Sequence, residues 1–226
     1  MDRRQERRAA WISFSLVVAF LILLFLLHII EPEFNALGQL ISDYELGQYG
    51  VLMSLAFFCI GGSALFLAIA VGNDLQKRTG RVGVWWLVFI GIAFIGAGIF
   101  PPDRGVGLGQ SMPMSFSGSL HTGFGLFVIF TAPIAFTLLY RSLIHNQQLF
   151  TMVRRLRWLT FLPWVGLASF FVSLVAYGAT QHPMIAWSDL RTLVSITNRF
   201  MVLTYCVWLL FITWYMGREG KTVLQS

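Results

Sequence analysis

The sequence predicts an all-α, polytopic membrane protein, a bundle of six transmembrane helices with both termini cytoplasmic. Three observations carry that reading. Hydrophobic residues make up 57% of the 226 residues and charged residues 12%, about half the charged share of a soluble domain; the mean hydropathy is +0.72. The charges cluster and leave apolar runs of about 20 residues, the length that spans the hydrocarbon core of a bilayer. The basic residues also fall in alternate connections, as a fixed orientation requires. The chain reads as one transmembrane domain over residues 1–226, with no stretch left over for a soluble one.

Met1 to Arg8 is a basic head carrying Arg3, Arg4, Arg7 and Arg8. The first span follows at 9–30. It is longer than the apolar core of a signal peptide, and Glu31-Pro32-Glu33 stands where a small-residue cleavage site would lie. The remaining spans are expected at about 49–71, 82–100, 120–140, 156–177 and 198–216. Gly61, Gly62, Ser63, Ala64 and Ala68 in the second, with Gly91, Ala93, Gly96, Ala97 and Gly98 in the third, allow close backbone approach. These two spans are therefore expected at the centre of the bundle. Pro133 falls in the middle of the fourth span and is expected to kink it, because it removes one backbone hydrogen bond.

Thirteen of the sixteen basic residues sit on the side of the termini: the head, Lys77, Arg78, Arg81, Arg141, Arg154, Arg155, Arg157, Arg218 and Lys221. That side is expected to be cytoplasmic. The opposite side holds Arg104, Arg191 and Arg199 with six of the ten acids, Glu31, Glu33, Asp43, Glu45, Asp103 and Asp189. The charge of +6 is thus a topological signal, and nucleic acid is not an expected partner. Trp11, Trp85, Trp86, Trp158 and Trp214 mark the inner ends of spans, and Tyr44, Tyr49, Tyr177 and Trp187 a thinner outer belt. Cys59 and Cys206 lie mid-span and read as buried hydrophobes.

Topology gathers chemistry on the outer side. His28, His121 and His182 share it with Asp43, Asp103 and Arg199, while His145 is cytoplasmic. Asp43, Asp103 and His121 are candidates for general acid–base work or for a metal site, where their N and O ligands would suit Zn²⁺. Arg199 is the candidate anion clamp, with Ser42 and Tyr44 as further ligand-binding candidates. The same residues also have structural readings. Ser42 or Asp43 caps a short helical turn, Arg199 joins a fixed ion pair, and His121 bonds a loop carbonyl. A bis-histidine haem would need His28 and His121 at matching depth on facing helices, and is disfavoured. No nucleophile elbow, P-loop or dinucleotide glycine pattern is present in the sequence.

Leu40-Ile-Ser-Asp-Tyr-Glu-Leu-Gly-Gln-Tyr-Gly-Val-Leu-Met, Ile99-Phe-Pro-Pro-Asp, Gly118-Ser-Leu-His-Thr-Gly and Arg199 together resemble the family called domain of unknown function 998, six-span and mostly prokaryotic. The resemblance covers nearly the whole chain. It implies fold and topology, and its motifs coincide with the outer polar positions; it brings no activity with it. Three functional readings therefore stand. One is a protein with an outward-facing polar pocket that binds or modifies a lipid headgroup or small anionic ligand in the inner membrane. The others are a non-catalytic scaffold or accessory subunit, and a haem- or metal-binding membrane protein.

Overall fold

The computed structural model describes residues 2–72, 78–103, 113–144, 150–179 and 187–219. Six long helices are present: α1 Arg3–Ile30, α2 Gly50–Val71, α3 Arg78–Ile99, α4 Phe116–Leu143, α5 Phe150–Ala179 and α6 Trp187–Glu219. A short 3₁₀ helix, Ile41–Leu46, lies between α1 and α2. All six long helices are apolar and long enough to cross a membrane; at 1.5 Å per residue, even the 22-residue α2 reaches about 33 Å. The protein is a multi-pass membrane protein, and lipid is its surroundings.

Each helix exceeds or closely matches its expected span. α6 departs most, beginning eleven residues before the expected Asn198. Hydropathy marks the depth of lipid, whereas a helix continues wherever its backbone bonds are satisfied. Arg199 therefore lies well inside α6 and not at its entrance. At the ends, local chemistry sets the boundaries. Asp2 caps α1 by accepting from the Arg4 amide while Gln5 reaches back to the Asp2 amide. Pro32 disfavours helical backbone at Glu31 and stops α1 there.

Consecutive helices pack side by side, and α6 returns to α1. The result is a ring of six. The start of α1 and the end of α6 lie at one end, where the Trp11 indole on α1 donates to the Gly217 carbonyl on α6 at 3.1 Å. The 3₁₀ helix covers the other end. The tightest seam joins α2 and α3, where Gly61 and Gly91 oppose each other so closely that a Cβ on either would stand 2.7–2.8 Å from the other's carbonyl oxygen. Buried Ser13 on α1 bonds both the Ser63 carbonyl, at 2.8 Å, and the Ser63 hydroxyl, at 2.9 Å, on α2. The α4–α5 seam is the slightest of the ring.

Candidate functional site

The ring encloses a cavity of about 420 Å³, within the size range of small-ligand sites. All six helices line it, mostly with apolar side chains such as Phe20, Ile60, Leu87, Ala132 and Met201. Toward the terminal end its lining includes Phe136, whose ring stacks on Trp208 with centroids 4.0 Å apart. The Trp208 indole N–H is satisfied by Thr160 Oγ1 at 3.0 Å. Pro133 contributes here as well. Lacking an N–H, it leaves the Ile129 carbonyl without its helical donor, and the Tyr205 hydroxyl of α6 supplies one at 2.8 Å. That bond ties α6 to α4 at the chamber wall.

Toward the opposite end the lining includes Leu40, Ile41 and Ser42 from the 3₁₀ helix and its entry, together with His121, Thr122 and Asn198. The Ile41 amide donates to Asn198 Oδ1 at 3.2 Å and holds this cover on α6. The chamber is thus an apolar space whose hydrogen-bonding groups, apart from Tyr205 and Cys206, collect at the 3₁₀ end.

His121 is 6% exposed. Its Nδ1 lies 2.9 Å from the Phe100 carbonyl and 3.1 Å from the Ala97 carbonyl. Carbonyls only accept, so Nδ1 carries the proton, and in the neutral ring Nε2 is left as an acceptor. Behind the ring, Glu45 Oε2 stands 3.3 Å from Nδ1 without a hydrogen bond of its own, because Nδ1–H is directed to the carbonyls. The other oxygen, Oε1, accepts from Ser54 at 2.9 Å. Burial pushes the Glu45 carboxyl up from 4.5 to about 7, against the Ser54 hydroxyl, which pulls it down.

Glu45, absent from the sequence-derived candidates, is thus the carboxylate nearest His121. Asp43 turns away: its Oδ2 accepts from the Leu40 amide at 2.9 Å, the capping role open to it from sequence. Burial raises its pKa, while the Leu40 amide, Arg191, Arg199 and His121 lower it. A 3₁₀ helix has three residues per turn, so residues two apart face different directions, a difference the linear sequence does not display. Two glycines allow the carboxylates to sit where they do. A Cβ at Gly50 would overlap the Glu45 carbonyl, and one at Gly47 the carboxylate of fully buried Glu31. Glu31 accepts from the Tyr49 amide at 2.5 Å, fixing the entry to α2.

Arg199 sits apart from the chamber lining, between α6, α1 and the loop before the 3₁₀ helix. Its Nη1 donates to the Gln39 carbonyl at 2.7 Å and the Ser195 carbonyl at 3.2 Å, and its Nε to His28 Nε2 at 3.3 Å. His28 Nε2 therefore accepts, and Nδ1–H donates to the Leu24 carbonyl at 2.7 Å. Both His28 nitrogens are engaged. Tyr44 packs its ring on His28, centroids 4.9 Å apart, and its hydroxyl donates to the Phe34 carbonyl at 3.1 Å. Tyr44 is fully buried and Tyr177 nearly so. Neither is the interfacial anchor expected from sequence.

One family model, described as "Protein of unknown function (DUF998)", matches residues 6–215. The chain belongs to the DUF998 family. No curated protein and no solved structure matches it.

In this DUF998 chain the proposed Asp43–Asp103–His121 metal triad does not assemble. Among the described residues no three His, Cys, Asp or Glu side chains converge on one ion position. Asp103 is engaged elsewhere. It accepts from the Ser115 amide at 2.6 Å and the Ser115 hydroxyl at 2.5 Å, while Ser115 Oγ accepts from Gly118 N and caps α4. A carboxylate there also favours the positive end of the helix. Gly118 keeps the space clear, since a Cβ would overlap the Asp103 carboxylate. Asp103→Ala is expected to cost about 1–2 kcal/mol of stability, as lost caps do, which thermal unfolding in detergent reads. The sequence candidates Arg104, His145 and His182 lie outside the described residues.

Proposed function

We propose that this is an inner-membrane protein that holds an amphiphile in its intramembrane chamber, the apolar chain among the spans and the polar head at the 3₁₀ end. The observation that carries this is the distribution of chemistry along the cavity. Apolar side chains form the walls and the far end, and hydrogen-bonding groups gather at Ser42, His121, Thr122 and Asn198. Sites that bind a ligand firmly pair an apolar lining with a few placed polar groups in this way. His121 Nε2 accepts from a hydroxyl or amide of the head, with Ser42 and Thr122 as further partners.

No Lys or Arg is among the described lining residues, so the head is an uncharged hydrogen-bonding group and not a phosphate gripped by Arg199. The excess of basic residues at the terminal end supports an orientation with both termini in the cytoplasm. The polar head then lies toward the outer leaflet.

Native mass spectrometry of the gently extracted protein tests this. The wild type is expected to carry a stoichiometric lipid-like adduct. Ala132→Trp and Val128→Trp, which fill the chamber from α4, are expected to remain monodisperse and to lose it. An adduct indifferent to both substitutions, or a bare polypeptide from the wild type, would contradict the reading and favour an accessory subunit.

A further inference from the structure

The chamber's side wall is uneven in a way that bears on how a ligand reaches it. In the half nearest the 3₁₀ helix, α4 is held to α3: His121 bonds the Ala97 and Phe100 carbonyls, and Gly96 lies against the Phe124 ring. In the same half α5 is held to α6 by Ser173 and Thr197, whose hydroxyls meet at 2.7 Å. Among the described residues, nothing comparable joins α4 to α5 there. Their contacts lie deeper, at Phe130 with Phe171, centroids 6.3 Å apart, and at Trp164, whose indole donates to Thr137 at 2.9 Å.

Beyond the Phe130–Phe171 contact the two helices stand open. A Cβ at Gly178 on α5 would meet nothing within 4 Å. Gly178 falls seven residues after Phe171 and four after the chamber-lining Leu174, so it shares their face of α5. Thr122 and Leu126 line the chamber and are also exposed. A side chain that does both stands at an opening. All of these residues belong to helices long and apolar enough to cross a membrane.

We infer that the gap between the 3₁₀-side halves of α4 and α5 is a lateral portal through which the apolar chain of a bilayer lipid enters the chamber. This rests on the chamber reading and deepens it. The ligand is a membrane-resident, single-chain amphiphile drawn from the leaflet at the 3₁₀ end, rather than a water-soluble molecule arriving past the 3₁₀ cover. A chain sliding sideways between two helices never leaves an apolar medium. Its head stays at the interface until it meets His121.

The test uses the full chain reconstituted in phosphatidylcholine vesicles, with a diazirine-bearing decanol added and flash-photolysed after increasing delays. Labelling of peptides containing Met201 and Tyr205 reports entry to the chamber. The wild type is expected to label rapidly. Gly178→Trp and Leu126→Trp, one on each lip, are expected to slow entry at least tenfold. Val172→Trp, on an exposed face of α5 turned away from the gap, is expected to match the wild type. Gly178→Trp retains the chamber, so its plateau labelling is expected to equal the wild-type plateau. Wild-type entry rates in both lip variants would overturn the portal while leaving the chamber reading intact. Failure of the wild type to label those peptides at any delay would overturn the chamber reading itself.

Discussion

Gly91→Leu is expected to break the bundle. On α3, Gly91 lies directly against α2: a Cβ added there would stand 2.8 Å from the Gly61 carbonyl oxygen and from the Leu65 side chain. The first of these is backbone and cannot rotate away. A leucine would force the helices apart along a seam that anchors the α1–α2–α3 side of the ring, with loss of the dispersion contacts that hold helices together in lipid. Overpacking of this kind costs about 1–3 kcal/mol, occasionally more, a large fraction of the stability of an ordinary domain. The expected readout is a variant that aggregates on extraction or unfolds many degrees below the wild type. Gly123→Ala is the matched control. A Cβ there meets nothing within 4 Å, and alanine favours helix over glycine by about 1 kcal/mol, so its thermal midpoint should equal or exceed the wild-type value. A Gly91→Leu protein as stable as the wild type would show that α2 and α3 do not meet as described.

Glu45→Gln is expected to change how stability depends on pH. The folded carboxyl holds its proton up to about 7, against an ordinary value of 4.5. Between those values the folded state binds more protons than the unfolded chain, so stability falls as pH rises through that window and levels off above it. The shift corresponds to about 2 kcal/mol after allowance for solvent on the partly open side. Glutamine keeps an oxygen for the Ser54 hydroxyl and does not titrate. The variant's thermal midpoint should therefore be nearly flat from about pH 4.5 to 7 and exceed the wild type's at pH 8. Parallel profiles for the two proteins would mean that Glu45 is an ordinary solvated carboxylate.

The sequence displays the spans because the bilayer imposes a length and a polarity that any helix crossing it must meet. It also displays the α2–α3 seam, since small residues such as Gly61 and Gly91 have few other uses on facing helices. The site is less legible. His121 was visible as an ionisable residue just inside a span, but its carboxylate neighbour was not. Asp43 and Glu45 lie two residues apart in one polar run, and only the 3₁₀ geometry directs Glu45 to His121 and Asp43 to the Leu40 amide. Arg199 carried a strong signal that the fold uses to join α1, α6 and the loop before the 3₁₀ helix. Asp103, by sequence a candidate catalytic or metal-ligating group, sits at a helix cap, since a carboxylate before a Ser-led helix start serves either purpose. The chamber itself had no linear trace. Its lining is drawn one or a few residues at a time from all six helices, and apolar residues facing a cavity look like those facing lipid.

Imaging the protein in lipid nanodiscs tests whether the chamber holds an amphiphile. The expected result is a continuous rod of density running from near the Phe136–Trp208 stack toward the 3₁₀ helix, ending within hydrogen-bond distance of His121 Nε2. Side chains collapsed into the cavity, or isolated water-sized peaks in place of the rod, would contradict it.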